Sequence, residues 1–214
     1  MTKKKKKVVA IIPARGGSKE IPRKNIIDIC GKPLIEYSIN AALGCNAIQE
    51  VWVSSDDDEI LDISSNLGAQ ILKRPSHLSG DNEPSESALL HFASNVDFDI
   101  LVFIQATSPL TTSKDLEGGL KLMEDYDSIV SVTELTQFVW DDSGPKYDLN
   151  KRLRRQDNGK SYLETGAFFI TSRDGLLFTK NRLNGNIGKY IVPKIRSLDI
   201  DSFDDLELVR KVIV

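Results

Sequence analysis

Apolar runs alternate with segments of helical periodicity along most of the chain. Val8–Ile12, Val51–Val53, Gln70–Leu72, Ile100–Gln105, Ser128–Val132 and Gly166–Thr171 are short, rich in β-branched and aromatic residues and bounded by turn residues, which predicts buried strands. Between them, Pro33–Leu43, Asp57–Leu67, Ser85–Ser94 and Lys114–Tyr126 place apolar residues at helical spacing, with Pro33 in a first-turn position and Ser113 as a cap. A last helix is predicted after Ser202, where Asp204 and Asp205 precede Arg210 and Lys211, the charge order that suits a helix dipole. This βαβα order predicts an α/β domain with a mostly parallel sheet and helices on both faces. Ligands of such folds bind outside the carboxyl ends of the strands.

From Glu134 to Leu163 the apolar pattern lapses into polar and charged residues with turn signals at Gly144-Pro145 and Asn158-Gly159. That stretch reads as a hairpin or arm leaving the sheet, so the chain is expected to be one domain, 1–214, with an arm at about 134–163.

Composition narrows the chemistry. The 214 residues are 40% hydrophobic, enough for a sizeable core, and 28 Lys+Arg against 31 Asp+Glu give a formal charge of −3. No broad basic footprint for a nucleic acid exists, and the five lysines Lys3–Lys7 read as a solvated tail. The apolar run after them stops at Pro13, too early for a signal peptide, and no stretch of eighteen apolar residues predicts a membrane span. Cys30 and Cys45 form no CxxC pair and no disulfide framework, which fits a reducing cytosol.

The cations of interest are local. Pro13–Asn25, "PARGGSKEIPRKN", holds Arg15, Lys19, Arg23 and Lys24 directly after the first strand. Gly16 and Gly17 let backbone N–H groups approach a ligand, while Arg15 and Lys19 offer charge-assisted bonds to an anion. From Arg15 through Lys24 the formal charge, less Glu20, is +3, comparable in size to that of a nucleoside triphosphate. Neither familiar phosphate loop is present: Gly159-Lys160-Ser161 has Arg154 where a Walker loop needs glycine, and no GxGxxG follows the first strand.

Near the other end, an extended Asp199-Ile200-Asp201 would point two carboxylates to one face. At about 6–7 Å they would repel by roughly 2–3 kcal/mol at an effective dielectric near 20. A hard divalent cation such as Mg²⁺, held by one or two carboxylates and by substrate phosphates, removes that conflict and links the acids to the cationic loop.

Five ordered stretches, "IIPARGGSKEIPRKN", "VWVSSDDDEI", "FIQATSPLTTSKDL", "RRQDNGKSYLETGAFF" and "LDIDSFDDL", resemble the acylneuraminate cytidylyltransferases, the CMP-sialic acid synthetases, over nearly the whole chain. The resemblance implies a three-layer, Rossmann-like nucleotide-diphospho-sugar transferase fold. It implies transfer of CMP from CTP to the anomeric hydroxyl of a nonulosonic acid, a Mg²⁺ requirement, a cytoplasmic location and a homodimer whose arms reach the neighbouring site. By motif, Arg15, Ser18, Lys19 and Lys24 would hold the triphosphate, with Asn25 beside the ribose and Arg74 and Ser85 near cytosine and ribose. Gln105, Arg155, Gln156 and Thr165 would meet the sugar, Arg155 taking its carboxylate. Asp199 and Asp201 would bind the metal, and Arg15, Lys24 and Asp201 would carry catalysis. Neither His77 nor His91 is required. Glu20 stands where the family commonly has glycine, Thr111 where many bacterial members have arginine, and Thr165 at a position often held by asparagine. Two other classes of function fit the sequence less well: a non-catalytic nucleotide binder of the same fold, against which the retained acid pair argues, and a dinucleotide-dependent oxidoreductase, whose glycine fingerprint is missing.

Overall fold

A computed structural model of the chain describes residues 6–151, 154 and 160–213. The regular elements follow as β1 (Val8–Pro13), β2 (Asp28–Ile29), β3 (Lys32–Pro33), α1 (Leu34–Leu43), β4 (Glu50–Ser55), α2 (Asp58–Asn66), β5 (Gln70–Lys73), α3 (Ser85–Asn95), β6 (Ile100–Ile104), α4 (Ser113–Leu122), β7 (Ser128–Leu135), β8 (Trp140–Asp141), β9 (Gly144–Pro145), β10 (Ser161–Ser172), α5 (Arg173–Thr179), β11 (Ile187–Ile191) and α6 (Phe203–Ile213). Seven strands form one sheet in the order β11-β7-β10-β6-β1-β4-β5. Strand β10 runs antiparallel to both of its neighbours, and the remaining pairs are parallel.

The alternation of side chains along β1 explains the layers. Val8, Ala10 and Ile12 enter one core with Ile35 and Ile39 of α1 and Leu116 of α4. Val9 and Ile11 point the other way, to Leu89 and Phe92 of α3 and Leu176 of α5. With both faces covered, the central strands are apolar throughout instead of alternating, which is what made them legible in the sequence. The result is the expected three-layer α/β arrangement with a mostly parallel sheet.

A third, smaller core joins Ile21, Ile29 and Leu34 to Ile200, Leu206 and Val209. It packs the segment after β1 against the segment before α6.

Four details differ from the sequence reading. Helix α4 is capped by Thr112, not Ser113: its side chain accepts the Asp115 N–H at 3.3 Å while the Asp115 carboxylate accepts the Thr112 N–H at 3.0 Å. That helix ends at Leu122, and residues up to Tyr126 form a turn. Helix α5 and strand β11 were not anticipated, because α5 has only seven residues and β11 is an edge strand interrupted by Gly188 and Lys189. Strand β10 starts five residues earlier than Gly166, since Ser161–Glu164 pair with the outer end of β7 despite their polar character. Beyond this pairing, β8 and β9 form a small antiparallel ladder, with Tyr147 against Phe138 and Trp140 at centroid separations of 4.6 and 6.3 Å.

Helix α4 approaches the sheet closely at its glycines. A Cβ at Gly119 would lie 2.8 Å from Phe168 and 2.9 Å from Ile170. Gly119→Ala is therefore expected to lose about 1–3 kcal/mol of stability to overpacking, although alanine is the better helix former. The shift of the urea midpoint at unchanged slope measures it.

Candidate active site

A cavity of about 650 Å³ opens at the carboxyl ends of β1, β5 and β6. Arg15, Ser18, Lys19, Lys24 and Asn25 line it from one side and Asp199 and Asp201 from another, with Arg74, Ser85 and Gln105 also on its wall. No histidine is among the described residues that line it.

Every cation of the loop after β1 is paired, Arg15 and Lys19 with the same carboxylate. Arg15 Nη1 bonds Asp81 Oδ1 at 2.9 Å and the Gly80 carbonyl at 3.2 Å, and Lys19 Nζ takes Asp81 Oδ2 at 2.9 Å. These two cations, Lys19 foremost, hold the Asp81 carboxyl below the usual range. Lys24 Nζ reaches Asp201 Oδ1 at 3.1 Å and the Ile200 carbonyl at 3.0 Å. Arg23 turns away from the cavity. In the left-handed region at φ 59°, it pairs with Asp57 at 2.7 Å and with Glu59. Three of the four cations thus serve the cavity, and the fourth fastens the loop to the start of α2. Asn25 Nδ2 donates to the Arg15 carbonyl at 2.9 Å, bracing the loop from inside.

The loop also depends on a close approach at Gly16. Its N–H donates to Asp56 Oδ1 at 3.1 Å, and a Cβ there would lie 2.7 Å from Asp57 Oδ2 and 2.9 Å from Asp57 Cβ. Asp57 is the cap of α2, its carboxylate accepting the Ile60 N–H at 3.1 Å.

On the acidic side, Ile200 is fully buried in the third core while both flanking aspartates face the cavity, as an extended chain requires. Ser108 Oγ donates to Asp199 Oδ1 at 2.9 Å. Burial, and to a lesser degree the Asp201 charge, nonetheless push the Asp199 carboxyl up. Lys24 bonds Asp201 and not Asp199. Among the described residues no group of three or more acidic, Cys or His side chains forms a self-contained metal cage. Asp199 and Asp201 are the residues that could hold a divalent cation together with a ligand's oxygens, and a desolvated carboxylate such as Asp199 gains from a nearby cation.

Arg74 is 5% exposed, and burial lowers its pKa; its Nε donates to Ser79 Oγ at 2.8 Å. Ser85 opens α3 on the cavity wall. Gln105 accepts from Thr107 Oγ1 at 3.4 Å and sits against Gly166, whose φ of 72° belongs to the irregularity between β10 and β7. Thr165, in contrast, does not reach the cavity: it is buried, and its hydroxyl engages Ser131 Oγ at 2.8 Å and the Ser131 carbonyl at 3.1 Å. Thr111 is likewise buried, bonding the Ser108 carbonyl at 3.0 Å, whereas Glu20 lines the cavity. Arg155 and Gln156 lie outside the described residues. Sequence reasoning missed Asp81, Thr107 and Ser108. Their only signal was proximity, Asp81 lying four residues before Ser85 and the other two lying two and three residues after Gln105.

An α/β sheet with a cation-lined cavity at its strand ends, and an acid pair on the same cavity, defines an α/β protein with a candidate site for an anionic ligand. More specifically, the profile of the cytidylyltransferase family matches residues 9–210, and the chain belongs to that family. The chain is 35% identical to N-acylneuraminate cytidylyltransferase A of Danio rerio over 93% of its own length and 49% of that protein. It is also 32% identical to pseudaminic acid cytidylyltransferase of Campylobacter jejuni over 95% of each chain. It spans about half the length of the N-acylneuraminate cytidylyltransferases it matches in Danio rerio and Escherichia coli. Among solved structures, a CMP:2-keto-3-deoxy-manno-octonic acid synthetase complexed with CTP shares the fold, with a TM-score of 0.76 at 22% identity over 97% of this chain and 98% of that one.

The two loop glycines have different burdens. Gly16→Ala is expected to cost about 1–2 kcal/mol by displacing the Asp57 cap, whereas Gly17→Ala, with open space around an added Cβ, stays within about 0.5 kcal/mol of the parent. Parallel thermal denaturation of the two variants compares them.

Proposed function

We propose that the chain transfers CMP from CTP to the anomeric hydroxyl of a nonulosonic acid, N-acetylneuraminate or a close relative, and releases pyrophosphate. The observation that carries this reading is that Arg15, Lys19 and Lys24 share one cavity with Asp199 and Asp201. The family match, the names of the relatives and the CTP-bound structural neighbour support the nucleotide.

In the proposed reaction the sugar oxygen attacks the α-phosphorus in line, its proton passes to solvent water, and the bond from the α-phosphorus to the bridging oxygen breaks, releasing pyrophosphate. Little covalent chemistry falls to the protein, so positioning and charge stabilisation dominate. Arg15 and Lys19 hold the β- and γ-phosphates and receive the charge that accumulates on pyrophosphate. Lys24, fixed by the Ile200 carbonyl, sits between those phosphates and Asp201. Ser18 and Asn25 complete the nucleotide side near the loop, and Arg74 and Ser85 the side near the base and ribose. Gln105 orients the sugar. Asp199 and Asp201 would hold Mg²⁺, which when bound neutralises phosphate charge and lowers the pKa of the attacking hydroxyl.

The arm belongs to the same reading. Trp140, Leu149 and Leu163 are more than half exposed on it, and a second copy of the chain would cover them in the proposed homodimer. Among the described residues no helix is long and apolar enough to cross a membrane.

Incubation with CTP, Mg²⁺ and a panel of sialic, legionaminic, pseudaminic and deaminated neuraminic acids tests the function. Pyrophosphate release with one acid is expected, and CTP binding without turnover on any of them overturns catalysis. Asp201→Asn should lower kcat by on the order of 10²- to 10³-fold with an unchanged circular-dichroism spectrum, and parental rates would remove the acid pair from the mechanism. Arg15→Ala should raise the KM for CTP by about 10- to 100-fold, the scale of a lost charge-assisted bond, and leave the KM for the sugar within about threefold.

A further inference from the structure

The two cations assigned to the triphosphate already hold an anion. Both oxygens of Asp81 are engaged, one by Arg15 and the other by Lys19, each at 2.9 Å. This geometry resembles the way two cations share a phosphate group. Asp81 lines the same cavity, and its side chain is 43% exposed, so it can leave its partners for water at little cost. A polyphosphate drawn to Arg15 and Lys19 would meet a carboxylate of like charge at hydrogen-bond range. Two anions cannot share these donors without repulsion.

Asp81 also sits at a mechanical junction. Its segment runs from Ser79, bonded to Arg74, to Ser85 at the start of α3. Arg15 additionally bonds the Gly80 carbonyl. The contact therefore ties the phosphate wall of the cavity to the wall that carries Arg74 and Ser85.

We infer that Asp81 is a resident counter-anion that competes with the nucleotide's phosphates for Arg15 and Lys19, and that binding exchanges the carboxylate for the polyphosphate. This rests on the triphosphate reading of the cavity. It makes Asp81 a determinant of selectivity: every ligand whose phosphates reach these cations must displace it, and a ligand without phosphates leaves it in place.

The test is Asp81→Asn in the full chain, which keeps the side-chain shape and removes the charge. Calorimetric titration with CTP and with inorganic tripolyphosphate should show about two- to fivefold tighter binding than the parent, the range expected for exposed ion pairs. The gain should shrink as salt is raised, because exposed charges are screened. Cytidine, measured as a competitor of CTP, should bind both proteins equally. Unchanged or weaker binding of CTP and tripolyphosphate by the variant, with the parent binding both, overturns the inference and leaves the functional reading standing. An equal gain for cytidine also overturns it, since that would be a general loosening of the cavity. A parent that binds neither CTP nor tripolyphosphate refutes the functional reading and this inference with it.

Discussion

The burial of Ile200 and Ile21 in one small core is the constraint from which the cavity follows. Both side chains are fully buried in the small third core, and one lies in the cationic loop while the other separates the two aspartates. Burying a side chain of this kind contributes about 1.5–3 kcal/mol, more than an exposed ion pair supplies. Packing, not electrostatic attraction, therefore brings Lys24 and Asp201 together across 177 positions of sequence. Backbone bonds lock the result: the Ile200 N–H donates to the Thr107 carbonyl at 2.9 Å, and the Ile200 carbonyl accepts from Lys24. With the apolar residue pinned inward, the extended chain leaves its flanking carboxylates only the cavity side.

The polar groups so assembled are mostly satisfied by one another. Arg15 and Lys19 hold Asp81, Lys24 holds Asp201, and Arg23 holds Asp57 and Glu59. A concentrated cluster of like charge would oppose folding, so the neutralised arrangement is what a stable unliganded cavity requires. Binding in such a site is an exchange of partners. Asp199 is the exception: it accepts from the Ser108 hydroxyl, and burial pushes its carboxyl up.

The sheet was legible because its central strands are buried on both faces and read as continuous apolar runs, as Ile100–Ile104 shows. The edge strand Ile187–Ile191 and the polar start of β10 were not, because their place depends on hydrogen bonding to β7 instead of on side-chain pattern. At the cavity, Arg15, Lys19 and the aspartate pair stood out as local concentrations of charge. Asp81 did not, since one acid in a polar loop has no distinctive signature until its partners, about sixty-five residues away, are in place. Thr165 is the reverse case. A Cβ at its neighbour Gly166 would lie 3.4 Å from Gln105, but at the irregular step of β10 the threonine hydroxyl engages Ser131.

That irregular step also separates the two halves of the proposed chemistry. The groups assigned to the nucleotide arise from loops at the ends of β1 and β5 and from the start of α3, on the rigid parallel half of the sheet. Gln105, assigned to the sugar, follows β6 beside the irregular step at which β10 shifts register on β7. One nucleotide site on this frame can thus be combined with different acceptor sugars, consistent with a family whose members are named for both N-acylneuraminate and pseudaminic acid. The acceptor would then be decided by residues that reach Gln105, and the nucleotide by the small core that buries Ile21 and Ile200.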